Sequence, residues 1–242
     1  MLAGAVELPA SGPGFKFLRD NDRHYGLPRF AAALARAAAS VEAQRPGGVL
    51  VLGDLSKAGG GQLLPHLSHR TGRDADLLLY ATTLEGAPVE SPGFVHFGAD
   101  GLAWDETSKR FLRFDVEREW LLVRALLEDP EARVQWLFSS RVIEAILLDW
   151  ASARGEPAEI IWRASEVMLQ PQPGGPHDDH LHARTACSDE DVAHGCEPSG
   201  PTRPWLVTPT RSVDPSDSDA ALAAELCVPL EVPAVLHADA KQ

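Results

Sequence analysis

The chain has 242 residues, a hydrophobic content of 44% and a formal net charge of −13. This length suffices for one sizeable core with appendages. The acidic balance argues against nucleic-acid binding, which needs clustered lysine and arginine, and against docking on anionic membranes. No apolar run approaches the roughly 20 residues that a membrane-spanning helix needs, so we expect no membrane span.

The N-terminal segment and the cysteines bear on the compartment. The segment MLAGAVELPASGPGF has neither a basic start nor a sustained apolar core, so it is not an intact signal peptide. Either the protein is cytoplasmic or the chain is a trimmed one that lacks its leader. Cys187 and Cys196 lie in a polar loop and are expected to form a disulfide, which implies an oxidising compartment; two reduced surface thiols are the alternative. The third cysteine, Cys227, has no predicted disulfide partner.

The predicted elements begin with an N-terminal arm, residues 1–27, which is rich in glycine and proline. Pro28 then opens a helix, at the position where its missing N–H costs nothing. An alanine-rich apolar stripe continues this helix until Pro46-Gly47-Gly48 stops it. The apolar run at 49–52 predicts a buried strand. The glycine-rich turn at 59–61 predicts a loop rather than a phosphate cradle, because no Gly-Lys-Ser/Thr follows it.

Strands and helices are interleaved through the middle of the chain. We predict a strand at 75–83, short β segments at 94–97 and 110–114, a helix of about a dozen residues after Asp115, a strand at 134–138, and helices at 141–154 and 160–169. The helix at 141–154 has an N-cap signal at Ser139-Ser140 and ends at Gly155. Because strict βαβ alternation is missing, we predict an α+β fold with a central, mostly antiparallel sheet and flanking helices.

The composition changes after Trp205. Residues 207–242 are predicted to be a polar linker and C-terminal tail, with a short helix at 220–227. The chain is therefore divided into the arm at 1–27, one domain at 28–206 and the tail.

Two stretches hold five of the nine histidines: residues 59–76, GGGQLLPHLSHRTGRDAD, and residues 176–184, PHDDHLHAR. A catalytic zinc takes three histidine or carboxylate ligands and keeps one position open. In a strand, His180 and His182 share a face, so one can bind metal and the other can handle a proton. Asp74 and Asp76 also share a face, so one can ligate while the other orients a neighbour. We therefore expect the two stretches to close around one zinc ion, in a cleft on the sheet.

Several motifs together resemble one family. They are Gly-Asp-Leu-Ser at 53–56, His-Leu-Ser-His-x-Thr-Gly-x-Asp-x-Asp at 66–76 and His-x-x-His-x-His at 177–182. In order, spacing and flanking residues they are similar to the penicillin-insensitive murein endopeptidases, within the wider group of lysostaphin-type, D-Ala-D-Ala carboxypeptidase and hedgehog-like zinc peptidases. The likeness covers roughly residues 15–205. It departs at Arg70, where the family motif has Gln, and in the acidic tail.

The resemblance implies a zinc peptidase with a defined set of site residues. The implied Zn²⁺ ligands are His69, Asp76 and His182. His180 is implied as the general base or the electrostatic partner of the zinc-activated water, and His66 and His177 match further active-site histidines. The implied substrate is the D-alanyl–meso-diaminopimelate cross-link between peptidoglycan stem peptides, and the implied location is the periplasm or the outside of the cell.

Some roles keep two interpretations. His177 either hydrogen-bonds the developing oxyanion or orders its loop. Asp54 either packs behind the site or caps a turn, and Asp178 and Asp179 either orient imidazoles or are solvated.

Two other functions are alternatives to the endopeptidase function. One is a D,D- or L,D-carboxypeptidase of the cell wall; such relatives carry a catalytic glutamate shortly before a Trp-His pair, and this sequence has no Trp-His. The other is a non-catalytic wall-binding module on the same fold. Degenerate modules of that kind usually lose a ligand or the proton-handling group, and none is missing here. The sequence does not indicate the oligomeric state.

Overall fold

The computed structural model describes residues 2–171 and 175–206, so the predicted tail, its helix at 220–227 and Cys227 lie outside the described residues. The described part contains five helices and thirteen short strands. The helices are α1 (Pro28–Gln44), α2 (Val116–Glu128), α3 (Arg141–Arg154), α4 (Ala158–Val167) and α5 (Asp189–Ala193). The strands are β1 (Val6–Glu7), β2 (Ser11–Gly12), β3 (Phe15–Phe17), β4 (Tyr25–Gly26), β5 (Leu50–Leu52), β6 (Asp74–Leu78), β7 (Ala81–Thr82), β8 (Pro88–Val89), β9 (Leu102–Asp105), β10 (Arg110–Phe114), β11 (Val134–Phe138), β12 (Met168–Leu169) and β13 (His180–Thr185).

These strands form three sheets. The largest has seven strands in the order β12-β11-β13-β6-β5-β3-β2, with parallel pairing only at β11–β12 and β3–β5. The second sheet has the antiparallel order β8-β7-β10-β9, and the third pairs β1 with β4. The α+β prediction and the largely antiparallel pairing are confirmed. The strands are nevertheless divided among three sheets instead of being gathered into one central sheet.

Two neighbouring inner strands of the large sheet, β13 and β6, have one apolar face and one polar face. In β13, Leu181 and Ala183 are fully buried in the hydrophobic core, and Ala75 and Leu77 of β6 join them there. The residues between them are histidine and aspartate, which therefore lie on the opposite face because side chains alternate along a strand. This alternation places the chemically reactive side chains of both strands on one surface.

The helices cover the apolar face and follow their sequence signals. Helix α1 begins with Pro28 and buries the stripe Phe30, Leu34, Ala38 and Val41, as its spacing predicts. Helix α2 packs against α1, α3 and α4 and buries Trp120 completely. In α3, the Ser140 side chain accepts a hydrogen bond from the Ile143 N–H, and Gly155 ends the helix in the left-handed conformation. None of the helices in the described residues is both long and apolar enough to cross a bilayer.

Two predicted strands differ in the structure. The strand predicted at 75–83 ends at Leu78, and the chain resumes in the second sheet as β7. The change occurs at Tyr80, whose N–H donates to the Glu119 carboxylate and whose carbonyl accepts from Asp115. The segment predicted as strand at 94–97 is a loop instead. Its backbone has a single link to the second histidine stretch, from the Phe97 N–H to the Asp178 carbonyl.

The predicted arm contributes strands of its own. Strand β3 pairs in parallel with β5 in the seven-stranded sheet, and β4 pairs with β1. The boundaries at residues 27 and 206 remain predictions. The predicted Cys187–Cys196 disulfide is present and encloses α5, whose Asp191 forms an ion pair with Arg29 of α1.

Candidate metal centre

Strands β6 and β13 bring the two histidine stretches together. Their antiparallel register sets His182 directly opposite Asp76 and Arg184 opposite Asp74. Side chains that face each other in such a pair lie within contact distance. The Asp76 Oδ1 atom consequently lies 3.6 Å from His182 Nδ1 and 3.5 Å from His180 Nε2.

His69 enters the cluster from the loop that precedes β6 and is completely buried. Its Nδ1–H donates to the Leu55 carbonyl over 2.8 Å, and because a carbonyl only accepts, this nitrogen carries the proton. The Nε2 atom lies 3.2 Å from Asp76 Oδ1 and has no hydrogen-bonding partner among the described residues. The ring is thus held with a lone pair directed at the carboxylate.

His182 is held in the corresponding way from the strand side. Its Nε2–H donates to Asp74 Oδ1 over 2.8 Å, and Arg184 Nε donates to the same oxygen over 2.7 Å. Burial lowers the pKa of His182 to about 4, so its ring is neutral near pH 7. Burial alone would raise the pKa of Asp74, but Arg184 and His182 hold it far below its ordinary value. Asp74 therefore orients His182 and leaves the Nδ1 lone pair on the Asp76 side.

His180 and His66 complete a ring of four imidazoles around Asp76. His180 donates its Nδ1–H to Asp179 over 2.6 Å, and His66 donates its Nε2–H to Asp54 over 3.1 Å. The remaining nitrogen of His66 lies 3.8 Å from Asp76 Oδ2.

The aspartates behind these two histidines shape the electrostatics. Burial alone would lower the pKa of His180, but Asp179 and Asp76 raise it to about 9. Asp54 accepts a second bond from Arg23 over 2.8 Å, and these partners lower its pKa to about 2 against the effect of burial. Asp54 therefore packs behind the site, and Asp179 orients an imidazole, so each takes the first of its two interpretations.

Asp76 is the hub of this arrangement. It is 1% exposed, and neither of its oxygens has a hydrogen-bonding partner among the described residues. Burial alone would raise its pKa, but the surrounding imidazoles hold the pKa well below its ordinary value, so it is a buried carboxylate anion. The same charge raises the pKa of His69 against the effect of burial. Nitrogen lone pairs directed at an anion repel it unless a proton or a metal cation lies between them.

His177 lies at the outer edge of the same cluster. Its ring centroid is 4.8 Å from that of His180 and 6.1 Å from that of His182, and its Nδ1–H donates to the Gly175 carbonyl. Burial lowers its pKa. Its backbone has φ of 52°, an uncommon value for a non-glycine residue, and its carbonyl accepts from Ser140 at the start of α3. Both interpretations of His177 stay open.

The described residues contain three sets of potential metal ligands, and within each set the ligand atoms lie within 4.8 Å of one another. The sets are His66, His69 and Asp76; His177, His180 and His182; and His96, Asp178 and Asp179. Of the predicted ligands, His69 and Asp76 belong to the first set and His182 belongs to the second. Asp76 links the two sets, because its Oδ1 atom lies 3.6 Å from His182 Nδ1. In the third set, His96 is largely exposed and already paired with Asp178 over 2.7 Å. The structure thus brings all six predicted site residues together, while their roles remain predictions.

Two residues that shape the site were not singled out from the sequence. Gly53 lies against Asp76, and a Cβ atom there would come within 2.9 Å of the Asp76 Cβ and 3.2 Å of the Phe94 ring. The Phe94 ring in turn lies nearly perpendicular to the His180 ring, with centroids 5.2 Å apart. The motif at 53–56 contains this glycine, but nothing in the spacing around Phe94 indicated its position.

Comparisons with known proteins agree with these motifs. A family model described as penicillin-insensitive murein endopeptidase matches residues 1–91, a range that includes the His69 and Asp76 stretch. A protein of Klebsiella pneumoniae subsp. pneumoniae with that same name is 36% identical over 80 residues, covering 32% of this chain and 29% of the relative. The chain thus matches less than a third of that relative's length. These findings confirm the family resemblance that the motifs predicted.

Proposed function

We propose that this chain, whose motifs and matches support the penicillin-insensitive murein endopeptidase family, is a zinc peptidase of the cell wall. Its proposed substrate is the D-alanyl–meso-diaminopimelate bond that cross-links peptidoglycan stem peptides. A substrate of this kind implies a place of action in the periplasm or outside the cell, where the Cys187–Cys196 disulfide is stable.

One observation carries the proposal of a metal. The buried Asp76 carboxylate has no hydrogen-bonding partner in the part of the chain that the structure describes, yet four imidazole nitrogens from two distant stretches lie 3.2 to 3.8 Å from its oxygens. Buried polar groups in native proteins are almost always satisfied, and a cluster of unsatisfied ligand atoms is expected where an ion binds. The outer nitrogen of each of these rings is held by a protein acceptor, as is typical of metal-binding histidines.

His69, Asp76 and His182 fit the role of zinc ligands best. They are the most buried members of the cluster, and each offers a lone pair on the same side. One imidazole–carboxylate–imidazole set with an open fourth position is the donor set of a catalytic zinc site. When bound, zinc would polarise the scissile carbonyl and lower the pKa of a water molecule there.

His180 is the proposed general base. Its Nδ1–H is fixed by Asp179, so only Nε2, on the cluster side, is available to accept a proton and later pass it to the leaving amine. The pKa of about 9 arises partly from the negative charge of Asp76, and a divalent cation beside that carboxylate would lower it toward the working range. His66, oriented by Asp54, and His177 are the remaining proposed active-site histidines.

Removal of the metal tests this function directly. Purified protein is treated with a chelator, dialysed and incubated with cross-linked muropeptide dimers, and the products are identified by mass spectrometry. We expect cleavage of dimers into monomers before chelation, no cleavage after it, and recovery on addition of zinc. Loss of a single terminal alanine would instead identify a carboxypeptidase. Undiminished cleavage in the chelated sample would rule out the zinc mechanism.

A further inference from the structure

Arg19 lies at the rim of the candidate metal centre. Its guanidinium carbon lies 5.9 Å from the centroid of the Phe94 ring, a distance typical of a cation–π contact. The Phe94 ring in turn lies nearly perpendicular to the His180 ring and close to Gly53. One aromatic ring therefore separates this guanidinium from the proposed general base.

The backbone around Arg19 is held in place. The Leu18 N–H donates to the Leu52 carbonyl over 2.8 Å, which extends the pairing of β3 with β5 by one residue. The Arg19 carbonyl accepts from His24, whose ring stacks on Phe17 with centroids 3.6 Å apart. The Arg19 side chain, in contrast, is exposed to solvent. A charged group on a fixed base is well placed to bind a ligand with little loss of backbone freedom.

The Arg19 guanidinium contacts the Phe94 ring but has no carboxylate partner among the described residues. Within residues 2–171 and 175–206, no carboxylate lies within ion-pair distance of it. Two other arginines near the site are neutralised, Arg23 by Asp54 and Arg184 by Asp74. In a chain with a net charge of −13, a guanidinium beside the site without a carboxylate partner in the described residues favours an anionic ligand.

The proposed substrate carries such an anion next to the bond that is cut. In a D-alanyl–meso-diaminopimelate cross-link, the scissile amide nitrogen is attached to a carbon that bears a free carboxylate. Guanidinium binds carboxylate through two parallel hydrogen bonds, with more directional preference than a lysine ammonium. We propose that Arg19, supported by Phe94, is a specificity-determining residue that binds this carboxylate on the leaving-amine side. The inference rests on the proposed function.

A matched pair of substrates tests the inference. Cross-linked dimers are prepared with the carboxylate beside the scissile amide either free or converted to a carboxamide, and kcat/KM is measured for both. We expect the wild type to prefer the free acid by about 10- to 100-fold, the usual range for one charge-assisted contact. Arg19→Gln should reduce this preference to near unity, and Arg19→Lys should restore part of it. Arg110→Gln, which removes an exposed arginine from the second sheet, is the control and should leave the preference intact.

A binding measurement separates this inference from the hydrolase proposal. Zinc-loaded wild type and Arg19→Gln are titrated by calorimetry with a monomeric stem peptide whose diaminopimelate is either the free acid or the side-chain carboxamide. An Arg19-dependent preference in binding, without dimer cleavage by the wild type, would support the carboxylate site and refute the endopeptidase. Dimer cleavage with an equal preference in wild type and Arg19→Gln would refute the role of Arg19 and leave the endopeptidase standing. If the wild type shows no preference for the free acid in either measurement, the proposed role of Arg19 is refuted as well.

Discussion

Two buried carboxylates, one in β6 and one in α2, have opposite electrostatics. Asp76 and Glu119 are 1% and 0% exposed. Imidazoles surround Asp76 and hold its pKa well below the ordinary value. Glu119 accepts one bond from the Tyr80 N–H, but burial dominates and raises its pKa to about 8.

The difference shows what distinguishes a site from a core position. Burial by itself favours the neutral acid, because an anion loses its hydration there. A buried carboxylate stays ionised only where positive or proton-donating groups converge on it, as around Asp76. Glu119 also has one buried oxygen without a hydrogen-bonding partner among the described residues, so the convergence of imidazole nitrogens on Asp76 is what identifies the candidate site. Glu119 instead takes part in holding Tyr80 near the end of β6.

The largest effect is expected from Asp76→Asn, which removes the charge but keeps the shape. Without the anion, the two histidine stretches lose the group that links them, and we expect zinc affinity to fall more than about 100-fold and dimer cleavage to disappear. Zinc content after dialysis, measured by atomic emission, checks the first effect, and circular dichroism checks that the fold persists. A variant that retained one zinc per chain would contradict the ligand assignment.

The next largest effect is expected from His180→Ala. We expect kcat to fall by about 10²- to 10⁴-fold, the usual range for a general base, while zinc content stays at the wild-type value. His96→Ala is a matched control, because His96 is also an imidazole paired with an aspartate but is largely exposed. It should change kcat little. Loss of zinc from the His180 variant would mean that the ligand and base assignments are reversed.

The smallest effect is expected from Glu119→Gln and concerns stability. Between pH 4.5 and about 8, the unfolded chain ionises Glu119 while the folded protein keeps its proton. The unfolded state then binds fewer protons, so this residue makes stability fall as the pH rises, by up to about 1.4 kcal/mol per pH unit.

The variant should remove that part of the slope. Urea unfolding at about pH 5, 6.5 and 8, three values that span this pH range, gives the free energy of unfolding of wild type and variant. Glu159→Gln, at an exposed position of α4, is the control and should keep the wild-type slope. Parallel slopes for wild type and Glu119→Gln would show that Glu119 is ionised in the folded protein.

Local signals allowed the helices to be predicted, whereas distant partners decided the strands. Helix α3 begins and ends where its serine N-cap and its glycine predict, because both act within one turn. The strand predicted at 75–83 was wrong beyond Leu78, because the Tyr80 N–H donates to Glu119, which lies in α2. The sequence of the strand itself contains no signal that predicts Glu119 as a partner.

The residues of the candidate site were likewise predicted where the signal is local and missed where it depends on distant partners. The spacing of Asp74, Asp76, His180 and His182 predicted which side chains share a face, because strand alternation is local. The identity of the outer partners depended on the fold. Leu55 behind His69 and Arg23 behind Asp54 come from segments whose approach has no sequence signal. Phe94 belonged to a predicted strand that is a loop, and only the structure places it beside His180.

The pairing of Asp76 with His182 has a consequence for the biogenesis of the protein. The two positions are about a hundred residues apart, so an ion that needs both cannot be captured until β13 has joined β6. A nascent chain would expose only the first half of the proposed ligand set. Capture of the proposed metal would then be a late step of folding, and a chain truncated before residue 180 should remain an inactive apoprotein whatever the zinc supply.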